Sequence, residues 1–291
     1  MMIIQLNGLN FSNNNIGNIS GAKDLSELTK KVLGNYSKTL TTSKQLAVDE
    51  FLTELQTEGL WAKIENLFMP CLAGNLSEVM YNVKKDKMET APGSDYYYLE
   101  NGSLKLNRIG KNVAIPAESI AQFKVNGSYM NIHYMVNTDP IEWYADAETD
   151  YDCSCYWLTT FTSAAYKGIM MAEGRANNRW NLLINGNPQR YVNPMTYPTI
   201  TDIYEGTSIV TGRTDKDQGI YNNILGKMNY SETDDKTISD AATYVGVNYA
   251  KQEYCHIGGM RLFGTGFALT DDELKTYSNL CNTFIDKIYA E

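Results

Sequence analysis

With 291 residues and 43% hydrophobic content, the chain can bury a substantial core, and all-β sandwiches reach this length as one domain. Its 25 Lys and Arg against 34 Asp and Glu give a formal net charge of -9, which disfavours a nucleic-acid surface because neutralising phosphates takes clustered basic residues. No stretch is apolar and long enough to span a bilayer, and the opening MMIIQLNGLNFSNNN lacks the basic start and cleavage site of a signal peptide, so synthesis and retention in a cytosol are expected.

Residues 1–40 read as an arm with a short strand, from the alternation of Ile4 and Leu6 embedded in Asn and Gly. A terminus without fixed structure is the alternative. Leu9, Phe11, Ile16 and Ile19 are apolar residues in a polar stretch and are the candidates for docking on a neighbour. Residues 41–69 read as a helical segment: Thr42-Ser43-Lys44-Gln45 has a capping-box pattern, and Val48, Phe51, Leu52 and Leu55 recur on one face. Gly59 supplies a left-handed C-cap, after which Leu60, Trp61, Ile64, Leu67 and Phe68 are expected to resume a helical stripe until Pro70 stops it.

Residues 70–268 are expected to form a β-sandwich. The 21 Tyr, 22 Gly and frequent Asn suit short strands joined by tight turns. Strand-like runs cover 95–99, 121–125, 130–137, 157–162, 180–184, 209–211, 243–247 and 260–263, punctuated by Asn101-Gly102, Asn126-Gly127 and Asn185-Gly186. Residues 269–291 return to helix, opened by the capping box Thr270-Asp271-Asp272-Glu273. Leu274, Tyr277, Cys281, Phe284 and Ile288 then make one apolar face that must pack on the rest.

Groups suited to catalysis or metal binding are few. His133 falls inside a strand and reads as structural, while neighbouring Cys255 and His256 point to opposite strand faces and make no dyad. Cys153 and Cys155 share a face but lack further ligands for zinc; with Cys71, Cys255 and Cys281 they are expected to be reduced and buried. The loop holding Asp215 and Asp217 lacks the ligand spacing of an EF-hand and reads as a solvated turn. Neither metal nor cofactor is expected. Glu142, Trp143, Tyr144 and Asp146 are the candidates for glycan binding, with an aromatic platform beside carboxylates, although an acidic surface loop or interface would use the same residues. The paired carboxylates of a glycoside hydrolase could sit here too, but no E-x-D-x-x-E-like motif is present, and an enzyme is not expected.

Three segments carry a family resemblance. LTTSKQLAVDEFLTELQTEGLWAKIENLFMP resembles the helical segment that opens a family of tailed-phage structural proteins; GTSIVTGRTDKDQGIYNNILG is similar to that family's strand and following hairpin; and GGMRLFGTGFALTDDELKTYSNLCNTFIDKI resembles its strand, glycine link, L-T-D-x-E box and final helix. The chain departs from that pattern at Asn222-Asn223-Ile224-Leu225-Gly226, where an Asn-Gly turn is usual, and at the closing Lys287-Ile288-Tyr289. The resemblance implies a concanavalin A-like (LamG-like) jelly-roll sandwich flanked by helices and made in a host bacterial cytoplasm. The implied role is a virion component without catalysis, as a head fibre, head decoration or tail appendage. Other phage structural proteins and further copies of the same chain would be its partners, with host surface glycans as a further one and neither nucleic acid nor membrane insertion involved.

Overall fold

The computed structural model describes residues 24–106, 116–124, 132–138, 155–160, 180–185, 189–191, 200–201, 206–214, 217–223, 227–231, 242–245 and 259–291. Helices α1 (Glu27–Leu33), α2 (Thr42–Thr57) and the single turn α3 (Leu60–Lys63) precede the strands, and α4 (Asp271–Tyr289) follows them. The strands are β1 (Ile64–Phe68), β2 (Tyr81–Asn82), β3 (Lys87–Met88), β4 (Tyr97–Glu100), β5 (Ser103–Leu106), β6 (Gln122–Lys124), β7 (Ile132–Thr138) and β8 (Cys155–Thr160). They continue with β9 (Trp180–Asn185), β10 (Gln189–Tyr191), β11 (Ile200–Thr201), β12 (Gly206–Thr214), β13 (Asp217–Asn222), β14 (Lys227–Ser231), β15 (Ala242–Val245) and β16 (Met260–Gly266).

These strands form two antiparallel sheets. The larger has ten strands in the order β14-β13-β12-β7-β16-β1-β2-β3, with the β4–β5 hairpin joined through β5 to β16; the smaller has six, β11-β10-β9-β8-β15-β6. They meet through an aromatic cluster, Phe68 and Phe263 from the large sheet stacked at 4.9 Å and Phe123 from the small sheet 4.8 Å from Phe68. Between them lies a buried amide relay, in which Asn82 Nδ2 donates to Asn66 Oδ1 at 2.8 Å and Asn66 Nδ2 to Thr265 Oγ1 at 2.8 Å. Pairing every such polar group matters because an orphaned buried donor costs about 1–3 kcal/mol. The Tyr97 hydroxyl donates across to the Val245 carbonyl at 2.9 Å, tying the two sheets again.

The opposite face of the large sheet is covered by helices. Strand alternation places His133, Met135 and Asn137 of β7 beside Thr207, Ile209 and Thr211 of β12, and α4 lies over this face. The Ser278 hydroxyl donates to the Thr207 carbonyl and Leu269 N–H to Thr211 Oγ1. The α4 face predicted from periodicity is the face that is buried, including Leu274, Tyr277, Cys281, Phe284 and Ile288. Phe51 of α2 stacks on Phe284 at 4.5 Å, so α2 packs against α4. The result is a β-sandwich with a helical layer, mainly β with helices at the two ends, in agreement with the fold class expected from the sequence.

Three local expectations are corrected. The N-cap of α2 is Thr41, whose hydroxyl accepts from Lys44 N–H; the third helical residue is then Lys44, so no reciprocal box forms, and Gln45 instead donates to the Leu40 carbonyl. The helical stripe expected over Leu60–Phe68 lasts one turn, because from Ile64 the chain becomes β1, paired with β16 on one side and β2 on the other. Ile64, Asn66, Leu67 and Phe68 are all buried, and an apolar run buried on both faces carries no period that separates strand from helix. Residues 1–40 also contain α1, which was not foreseen. Ser26 caps it, and buried Asp49 of α2 accepts from Ser26 N–H at 2.8 Å and from Thr29 Oγ1 at 2.9 Å.

Other expectations agree. Gly59 has φ 72 at the end of α2, and the Thr270–Glu273 capping box is complete. Strands β13 and β14 form a hairpin with Asn222 opposite Lys227, even though the sequence there departs from an Asn-Gly turn.

Candidate functional site

The site is a pocket of about 820 Å³ built where five pieces of chain converge. Its roof is the β4–β5 hairpin. Asn101 and Gly102 have φ 50 and 77, the paired left-handed conformation of a two-residue hairpin turn. Gly102 is required for a second reason: a Cβ there would stand 2.8 Å from the Tyr289 hydroxyl and 3.1 Å from the Cys71 backbone. The turn is thereby pressed against the end of α4 and the segment after β1.

The floor is Tyr289 with Arg261. The guanidinium carbon of Arg261 lies 4.2 Å from the centre of the Tyr289 ring, a cation–π contact that sets the guanidinium plane. Arg261 owes its direction to a bulge in β16: Met260 pairs with Thr138 and Leu262 with Asn137, leaving Arg261 as the extra residue without a partner in β7. Its Nε is buried and has no hydrogen-bond acceptor.

The walls add charge of the same sign. Lys38, Lys44 and Lys105 line the pocket with Arg261, against the carboxylate of Glu100. Glu100 is bound to Lys105 at 2.8 Å, and Lys38 donates to the Cys71 carbonyl at 3.0 Å. Among the described residues, four cations against one carboxylate make a cationic pocket on a chain whose formal net charge is -9. This arrangement can hold an oxyanion and offer polar groups such as the Asn101 amide to hydroxyls, and its volume falls within the roughly 300–1,000 Å³ of small-ligand sites.

Of the groups weighed for chemistry, His133 lies away from the pocket, while the Cys71 backbone borders it with the thiol buried. His133 is fully buried; its Nδ1 meets the Phe267 carbonyl, its Nε2 has no partner, and its ring stands edge-on to Tyr277 at 5.6 Å. Burial lowers its pKa from 6.5 to about 4, with the Phe267 carbonyl opposing, so the ring is neutral over the physiological range. Cys71 and Cys281 are free, buried thiols. Burial pushes Cys71 up to about 12 against the opposing effect of Lys38 and Arg261, and raises Cys281 well above its ordinary value. Among the described residues there is no group of three or more His, Cys, Asp or Glu placed to hold a metal, and no helix long and apolar enough to cross a membrane.

The docking candidates Leu9, Phe11, Ile16 and Ile19 and the glycan candidates Glu142, Trp143, Tyr144 and Asp146 lie outside the described residues, as do Cys153, Asp215, Cys255 and His256. Sequence reasoning missed the cationic pocket altogether. Two signals for it were present: the Asn101-Gly102 dipeptide marked the roof, and the closing Lys287-Ile288-Tyr289 placed an aromatic residue at the floor. Arg261 gave none, because its bulge exists only in the pairing of β16 with β7.

The fold and this pocket define a helix-covered β-sandwich with an open cationic cleft. No protein-family model matches the sequence, and no curated protein matches it. Among solved structures it is similar to a Trypanosoma rangeli sialidase in complex with 2,3-difluoro-KDN, with TM-score 0.49 and 12% identity over 76% of this chain and 33% of the sialidase. It is also similar to the botulinum neurotoxin serotype D binding domain (TM-score 0.46, 12% identity, 75% of this chain and 52% of that one). A third is domain 4 of AbnA, a GH43 extracellular arabinanase from Geobacillus stearothermophilus in complex with arabinotriose (TM-score 0.43, 12% identity, 74% and 98%). The chain spans 27% of a leech trans-sialidase and 33% of the Trypanosoma sialidase. Identity this low carries no activity or ligand from those proteins to this one.

Proposed function

We propose that this protein is a non-catalytic carbohydrate-binding sandwich, carried as a structural subunit of a tailed-phage particle in the manner of a head fibre, head decoration or tail appendage. The observation that carries the binding half is the open pocket beneath the Asn101-Gly102 turn, polar and cationic over a tyrosine floor. Stacking on a ring and hydrogen bonds from convergent polar groups are the means by which sugars are held. The non-catalytic half draws support from His133, Cys71 and Cys281, whose burial removes them from contact with any substrate. The virion half is supported by the three segments of family resemblance, which fall on α2 through β1, the β12–β13 hairpin and the β16–α4 junction.

A glycan array with the purified chain tests the binding reading. Saturable binding to at least one glycan is expected, without release of reducing ends; no binding to any host glycan overturns it. The virion reading is tested separately by deleting residues 1–19, which is expected to abolish incorporation into particles while leaving the unfolding transition of the sandwich unchanged. Normal incorporation refutes the anchoring role of Leu9, Phe11, Ile16 and Ile19. If Trp143 belongs to the binding surface, Trp143→Ala weakens glycan binding; unchanged affinity removes that segment from the site. Sedimentation of the purified chain is expected to show a homo-oligomer.

A further inference from the structure

We infer that the pocket under the β4–β5 turn is selective for acidic saccharides, with Arg261 receiving a sugar carboxylate. This rests on the carbohydrate-binding reading and adds the charge class of the ligand. Arg261 is placed in two independent ways. The bulge takes it out of the β7 ladder, and the Tyr289 ring at 4.2 Å holds the plane of its guanidinium, whose outer nitrogens are the ones a ligand in the cleft would meet. A planar guanidinium so held matches the two oxygens of a carboxylate, whereas a lysine would offer only a point charge.

The surroundings favour the same ligand. Among the described residues the one carboxylate lining the pocket, Glu100, is already bound to Lys105, and Lys38 and Lys44 contribute charge of the same sign as Arg261. An oxyanion entering the cleft meets a field opposite to that of the whole chain, whose excess of acids repels it elsewhere. A neutral sugar would leave Arg261 without an ionic partner. Free phosphate shares the oxyanion chemistry but has no ring or hydroxyls for the tyrosine floor and the Asn101 amide.

Isothermal titration of the full chain with trigalacturonic acid, its methyl ester and inorganic phosphate decides the matter. The triacid is expected to bind about tenfold or more tightly than the ester, in keeping with a charge-assisted bidentate pair, and to weaken as salt rises. Arg261→Gln is expected to remove that preference while leaving thermal unfolding nearly unchanged. Should this variant fail to fold, Lys44→Glu at the half-buried rim takes its place and is expected to weaken triacid binding about tenfold, the effect of reversing one charge in the cleft. Equal affinity for triacid and ester, or an unaffected variant, overturns the acidic selectivity while leaving a sugar-binding function standing. Phosphate that competes as effectively as the triacid reduces the pocket to a simple anion site and overturns the saccharide assignment. If neither saccharide binds and the array is also blank, both readings fall together.

Discussion

His133 ties the stability of the β-sheet to pH in a way that one substitution can isolate. The buried ring titrates at about 4 in the folded protein, lowered by burial from 6.5. Between these values the unfolded chain binds more protons than the folded one, so stability rises with pH through the window. The contribution is complete above 6.5 and is lost as pH falls towards about 4. At about 1.4 kcal/mol per pKa unit the loss comes to about 3 kcal/mol, a large fraction of the roughly 5–15 kcal/mol that holds a domain folded. Lys63 and Glu273 face the ring and pair at 2.7 Å. Their charges act on it in opposite directions, so burial dominates. For Glu273 itself, burial raises the carboxyl pKa but hydrogen bonds from Lys63 and Thr270 outweigh it and bring it below 4.5, so its own stabilisation is lost at the acid end of the window and below. His133→Asn keeps an N–H donor near the Phe267 carbonyl and removes the titration. Urea unfolding of both proteins at about pH 7 and about pH 4 is the assay. The variant is expected to be less stable at neutrality by about 1–3 kcal/mol through lost packing on Tyr277. On acidification the wild type should lose about 3 kcal/mol more than the variant, since contributions such as that of Glu273 cancel in the difference. Parallel losses in the two proteins would refute the assignment of a neutral, desolvated imidazole.

Three further substitutions test the packing of α4 and β16. Phe284→Ala removes the ring stacked at 4.5 Å on Phe51 and is expected to cost about 3–5 kcal/mol in chemical denaturation, loosening α4 from α2. Thr270→Ala deletes the hydroxyl that accepts from Glu273 N–H and is expected to cost about 1 kcal/mol, seen as a lowered urea midpoint with an unchanged m-value. Gly266→Ala places a methyl group against the Lys63 carbonyl and the His133 ring. Because the obstacle is partly backbone, β1 and β16 must separate, and thermal unfolding is expected to fall more than for Thr270→Ala. A Gly266→Ala protein as stable as wild type would contradict the close approach of these strands.

The amphipathic face of α4, its capping box, the left-handed Gly59 and the Asn101-Gly102 turn were legible in the sequence because each depends on residues within a few positions of one another. A buried stripe recurring every three or four residues, or an Asn-Gly pair between two strands, states its conformation locally. Ile64–Phe68 was misread for the complementary reason. With both faces buried it shows no alternation, and only pairing with β16, roughly two hundred residues later, makes it a strand. Arg261 is the sharper case. Its neighbours Met260 and Leu262 mark a strand in the sequence, but the bulge that swings the guanidinium out of the ladder is a mismatch in register between two strands, and Tyr289 reaches it from the far end of another element. Composition and local pattern therefore determined a mainly β chain framed by capped helices. Only the tertiary structure decided where its positive charge gathers, because that depends on how distant segments meet and on which buried donor they leave without an acceptor.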